Sequence, residues 1–141
     1  MMIVLDTNVI SEALRPAPDP AVFSWMRSIA RREFWTSTVV LAELFSGVDL
    51  MPAGKRQLLL HDAMERLVST LFAGKVLDFD IAAARAYGSI LAGRLAIGRP
   101  ITETDAQIAA CASVRGARIA TRYVRDFEHC GIEIINPWQM S

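Results

Sequence analysis

Ile3-Val4-Leu5-Asp6-Thr7-Asn8-Val9-Ile10-Ser11 decides how this chain folds. The apolar residues from Met2 to Leu5 form a short run, rich in β-branched side chains and closed by a charge, and read as a buried strand. Thr7 to Leu14 then reads as a short helix, stopped by Pro16-Ala17-Pro18-Asp19-Pro20. Asp6 therefore stands where a strand hands over to a helix. In parallel α/β sheets that carboxyl edge is where sites are built.

Working outward, Asp19 suits a helix N-cap with Pro20 at the first helical position, and the helix it starts would bury Val22, Trp25, Met26 and Ile29. Phe34–Thr36 reads as a strand, followed from about Thr38 by a helix with Val40, Leu41, Leu44, Phe45 and Val48 on its apolar side. Pro52-Ala53-Gly54 breaks the chain before a helix carrying Leu59, Leu60, Ala63, Met64, Leu67 and Leu71. Val76-Leu77 is a brief strand, and Asp80 can cap a helix bearing Ala84, Tyr87, Leu91 and Leu95. Thr104 and Gln107 have capping-box spacing for the next helix, which contains Asp105. Arg118–Ala120 and Glu133–Ile135 supply the last strands before Pro137. Strands alternating with helices predict an α/β sandwich on a short parallel sheet. No repeat, low-complexity tract or linker divides the chain, so one domain over 1–141 is expected.

Composition narrows the function. A 52% hydrophobic and 21% charged content describes a soluble globular chain rather than a disordered one. Fifteen basic residues balance fifteen acidic ones, so net charge selects neither nucleic acid nor membrane. Any phosphate contact must come from local groups: Arg27, Arg31 and Arg32; Lys55 and Arg56; or Arg115, Arg118, Arg122 and Arg125. The N-terminal apolar run is too short for a signal peptide, and no stretch reaches the roughly 20 apolar residues of a membrane span. A cytoplasmic protein with Cys111 and Cys130 as reduced thiols is expected.

Three acids stand out: Asp6, Glu43 within Val39-Val40-Leu41-Ala42-Glu43-Leu44-Phe45, and Asp105 opening the Ala-rich run Ala106–Ala110. Carboxylates in such settings call for a positive partner, and a hard divalent cation favours oxygen ligands. Converging carboxylates of this kind suit phosphodiester hydrolysis. Asp6 and Asp105 are the candidate ligands, and Glu43 is either a ligand or the group orienting the attacking water. Free amides at the Thr104 helix start would favour an ionised Asp105. Each acid also has an ordinary reading: Asp6 as a helix cap, Asp105 as a helix-dipole partner, Glu43 as a solvated or arginine-paired side chain.

Other chemistries find less support. His61 and His129 lack zinc spacing, Gly93, Gly98 and Gly116 form no phosphate loop, and Ser11 has no histidine nearby in sequence. Trp25, Trp35 and Phe45 are candidate stacking platforms for bases, with core packing the ordinary role of Trp35 and Phe45. Trp25 is also a candidate contact for a protein partner.

Four blocks in order, Ile3–Ser11, Val40–Leu44 with Gly47, Asp105–Ala110, and Ala120-Thr121-Arg122 with Asp126-Phe127, resemble the PIN-domain nucleases, and most closely the VapC/FitB-type toxins of type II toxin–antitoxin systems. The ending Ile135-Asn136-Pro137-Trp138 is similar too. The resemblance implies a PIN-like three-layer α/β/α sandwich and a ribonuclease dependent on Mg2+ or Mn2+. It makes Asp6, Glu43 and Asp105 the catalytic and metal-binding acids, with Asn8 and Thr121 as polar supports. Where the family carries a fourth acid or amide, this chain has Tyr123; Asp126, three residues on, is the candidate substitute. The resemblance also implies RNA as substrate, a cognate antitoxin lying over apolar helices, a homodimer, a higher assembly with antitoxin, and DNA contact only through the antitoxin. The Leu58–Leu71 and Trp25 helices are the expected docking faces. Two alternatives remain at this point: a non-catalytic PIN-like scaffold holding an antitoxin on DNA, or a nuclease of RNA processing.

Overall fold

The computed structural model describes residues 1–140; Ser141, the last residue of the expected domain, lies outside them. Five strands form one parallel sheet: β1 (Ile3–Leu5), β2 (Phe34–Ser37), β3 (Val76–Leu77), β4 (Arg118–Ala120) and β5 (Ile134–Ile135). Their spatial order is β3-β2-β1-β4-β5. β1 is central, pairing Ile3 with Phe34 on one side and with Arg118 on the other. Buried on both faces, Ile3, Val4 and Leu5 need apolar side chains throughout, and each contributes about 1.5–3 kcal/mol by leaving water.

The helices α1 (Thr7–Ala13), α2 (Pro20–Ser28), α3 (Thr38–Asp49), α4 (Lys55–Ser69), α5 (Ile81–Ala96), α6 (Glu103–Ser113) and α7 (Val124–Phe127) flank this sheet as the α/β/α sandwich expected. Polar caps set their starts. Asp6 accepts from Thr7 N at 2.8 Å, Asp19 from Ala21 N at 2.8 Å, Ser37 from Val40 N at 3.1 Å, and Asp80 from Ala83 N at 3.0 Å. Each such cap contributes about 1 kcal/mol. Pro20 occupies the first turn of α2.

Several details differ from the sequence reading. α6 is capped by Thr102, which accepts from Asp105 N at 3.2 Å, so the Thr104–Gln107 pair is not the capping box. Thr102 has the extended backbone of a cap, whereas Thr104 is already helical. On α5 the inward line is Ala83, Ile90 and Arg94, with Tyr87 and Leu91 half-buried; Ala84 and Leu95 face solvent. A guanidinium replaces the expected Leu95 because backbone carbonyls satisfy it. Trp25 is 6% exposed and packs on Phe34 at 5.7 Å between ring centroids, so it is neither a base platform nor a partner contact. His61 lies edge-on to Phe45 at 5.8 Å, a packing role. Among the described residues no helix is long and apolar enough to cross a membrane.

Candidate active site at the carboxyl edge of the sheet

Strand order reverses direction between β1 and β4, and their carboxyl ends open the crevice where doubly wound sheets bind ligands. Asp6 follows β1 and Thr121 follows β4, joined across this point by Asp6 N donating to Ala120 O at 3.0 Å. The Asp6 carboxylate is 5% exposed and held by three fixed donors. Oδ1 accepts from Thr7 N at 2.8 Å; Oδ2 accepts from Asn8 Nδ2 at 3.0 Å and from the Thr121 hydroxyl at 2.8 Å. Asn8 Nδ2 also reaches Thr121 Oγ1 at 3.2 Å, while Asn8 Oδ1 accepts from Arg122 N at 2.9 Å. Asn8 and Thr121 thus hold Asp6 and the segment after β4 in one network.

Glu43 reaches the same place from α3. Its Oε1 accepts from the Thr7 hydroxyl at 2.9 Å, so one residue of the β1–α1 turn, Thr7, donates to both acids. Glu43 is exposed, against the expectation of a carboxylate buried in an apolar segment. The helix turns Val40, Leu44 and Val48 inward and leaves Glu43 on its open flank.

Asp105 lies in the first turn of α6, half-buried. Burial pushes its carboxyl above the ordinary range; the Thr102 bond pulls the other way, and the charges of Asp6 and Asp126 push it further up. Desolvation therefore outweighs the Thr102 hydrogen bond, and the net shift disfavours the anion. Asp6 is raised as well, first by burial, against the Thr121 and Thr7 hydrogen bonds, with Glu43 adding repulsion. The acids feel one another, and among the described residues none of the three enters an ion pair. Nor do three His, Cys, Asp or Glu side chains among these residues already stand close enough to hold an ion. The donor set is all oxygen, anionic and short of positive charge, which fits a hard cation such as Mg2+ or Mn2+ rather than zinc.

Asp126 is exposed and acts on Asp105 only through its charge. Tyr123, at the position of the absent fourth acid, is 56% exposed, and its amide donates to Thr121 Oγ1 at 3.1 Å. Arg94, which the sequence reading missed, is buried behind the α6 start. Its Nε donates to Arg99 O at 2.6 Å, and its Nη1 donates to Asp126 O at 2.9 Å and Glu128 O at 3.1 Å. It ties the loop entering α6 to the segment after β4 and sets a positive charge behind Asp105. From the site a groove of about 1140 Å³ runs between α1, α3 and α4, lined by Leu14, Leu44, Val48, Leu59, Leu60 and Met64.

The PIN domain family model matches residues 3–130. The chain is 42% identical to the VapC ribonuclease Y4jK of Sinorhizobium fredii over 98% of this chain and 99% of that one. It is 39% identical to Toxin FitB of Neisseria gonorrhoeae, covering 97% and 99%. A solved structure of FitAB bound to an IR36 DNA fragment superposes with a TM-score of 0.93 at 38% identity, covering 99% of this chain and 98% of that one.

Proposed function

The chain belongs to the PIN-domain family, and from that premise we propose that it is the toxin of a type II toxin–antitoxin pair: a cytoplasmic, single-domain endoribonuclease, dependent on Mg2+ or Mn2+ and silenced by a cognate antitoxin. The observation that carries this reading is the Asp6 carboxylate, buried at the β1–β4 crevice, oriented by three donors and without an ion-pair partner among the described residues. An uncompensated buried anion is costly, and such sites persist where a cation completes them.

Asp6 and Asp105 would hold the ion, with Glu43 as a third ligand or as the base that orients water. Once bound, the cation would polarise the phosphoryl oxygen and ease deprotonation of water. The chain's own residues set the geometry. Thr7, Asn8 and Thr121 stop Asp6 from rotating away, and the Thr7 hydroxyl holds the Glu43 carboxylate in one orientation. From its exposed position Glu43 can accept a proton from water attacking phosphorus as the P–O bond to the leaving group breaks. The apolar groove would take the antitoxin chain, and its mouth at Thr7 and Glu43 would admit a basic antitoxin side chain to the acids. We extend the reading to a homodimer, to a higher assembly with antitoxin, and to DNA contact through the antitoxin alone.

Asp6→Asn should abolish RNA cleavage and growth arrest while circular dichroism stays unchanged; a variant that cuts RNA at the normal rate overturns the assignment. Two observations favour a second reading, the non-catalytic scaffold: Tyr123 stands in for an acid, and among the described residues no three ligands are gathered. Manganese titration by calorimetry separates the two, because a scaffold takes up no stoichiometric ion.

A further inference from the structure

At the mouth of the acidic site sit two aromatic rings and a cation that the mechanism does not use. Tyr123 is 56% exposed, unusual for a large ring beside a polar centre. Its backbone is not free: its amide bonds Thr121 Oγ1, whose proton goes to Asp6 Oδ2 at 2.8 Å. Two hydrogen bonds thus fix the ring's attachment point relative to the proposed reaction centre. Arg122 is pinned in the same way by Asn8 Oδ1, and its guanidinium lies over the Trp138 ring at 5.1 Å from the centroid. Stacked on that face it keeps its outward N–H donors for another partner. Lys55 and Arg56 line the same groove, and neither they nor Arg122 enter an ion pair among the described residues. Unpaired cations with an exposed ring, around acids that would otherwise repel a phosphate, match a single nucleic-acid strand.

We propose that Tyr123, with Arg122 held on Trp138, forms a nucleotide subsite for single-stranded RNA. The phenol ring stacks the base next to the phosphate under attack, and the guanidinium meets a neighbouring phosphate. The subsite deepens the ribonuclease reading and rests on it. It also gives the departure at position 123 a function: a base-contacting ring in place of a fourth acid.

The test uses the full chain carrying Asp6→Asn, so that RNA survives, and a labelled single-stranded RNA octamer read by fluorescence anisotropy. Adding Tyr123→Ala should weaken binding about five- to thirty-fold, whereas adding Tyr123→Phe, which keeps the ring, should hold it within about two-fold. Abasic substitution along the octamer should reproduce the Tyr123→Ala loss at one position only, and the two changes together should cost no more than either alone. Adding Arg122→Ala should lower the salt dependence of binding by about one phosphate contact. Unchanged affinity in Tyr123→Ala, or losses that add at every position, would overturn the subsite. If the unmodified chain cuts RNA but shows no such coupling, the subsite alone fails. Coupling without any cleavage keeps the subsite and removes the nuclease reading.

Discussion

Metal binding at Asp6 should be visible as heat stability, and the size of the effect can be worked out. For 141 residues, an unfolding entropy of about 2.1 cal/mol/K per residue gives about 0.3 kcal/mol/K, so each kcal/mol moves Tm by about 3 °C. An ion bound only by the folded state at a hundredfold excess over Kd adds about 2.7 kcal/mol, or about 9 °C. Replacing Asp6 by Asn removes that gain. Its cost without metal is small. An amide oxygen in the Oδ2 place still accepts from Asn8 and Thr121, and only the Thr7 N–H loses its acceptor, at about 1 kcal/mol. Relief of a buried negative charge that Glu43 repels offsets this. Differential scanning calorimetry of both proteins, with EDTA and then with saturating Mn2+, should therefore show near-equal melting without metal and a rise confined to the unsubstituted chain. Equal rises in both would place the ion elsewhere. A fall of about 10 °C or more in metal-free Asp6→Asn would mean that the network is structural and the metal argument is mistaken.

Arg94→Met should cost about 3 kcal/mol in urea unfolding, because it strands the partly buried carbonyls of Arg99, Asp126 and Glu128, and Arg94→Lys should recover part of it; a loss under about 0.5 kcal/mol would show that water replaces the guanidinium. Thr7→Val frees Glu43 while leaving Asp6 its backbone donor, so RNA cleavage should fall about tenfold in kcat with KM nearly unchanged and stability altered by no more than about 0.5 kcal/mol. The folded-state pKa values of Asp6 and Asp105 both lie above the unfolded carboxylate range, so each favours the folded state fully below about pH 4, and that contribution is lost as pH rises through the raised values. Metal-free urea titrations should accordingly show the chain losing stability, relative to Asp6→Asn/Asp105→Asn, as pH rises from about 4 through the raised values, and a parallel course would refute the shifts.

The elements were legible because their periods are strong: a β-branched run before Asp6, paired Ile134 and Ile135, and caps at Asp19 and Asp80 that are single well-placed carboxylates. Asp6 was legible for the same reason, since a charge ending an apolar strand marks the carboxyl edge. What failed depended on rotation or on distant partners. At 100° per residue Glu43 lies about 60° from Val40, on the side away from Leu41 and Phe45. It can therefore flank an apolar stripe without being buried. Thr102 and Thr104 offer the same hydroxyl two residues apart, and only the extended backbone of Thr102 after Pro100 and Ile101 decides which one caps. Arg94 stands in the sequence as one more arginine on a mixed helix, with no neighbour that marks it. Its acceptors come from residues 99, 126 and 128, and no local pattern announces a guanidinium neutralised by carbonyls.

The same electrostatics bear on why position 123 can lose its acid. Burial already raises both the Asp6 and the Asp105 carboxyls, Glu43 adds repulsion at Asp6, and Asp6 and Asp126 add it at Asp105. A fourth anion at this rim would deepen that repulsion, and the folded state would bear it. Magnesium takes only one or two carboxylates and keeps several waters, so the fourth acid is dispensable for a first ion. Tyr123 leaves the carboxylate set smaller and puts a ring at the rim, where its amide still serves Thr121. The backbone at this position supports Asp6 through Thr121, and that task is indifferent to the side chain. Position 123 is therefore free to vary toward whatever must be recognised at the mouth of the site.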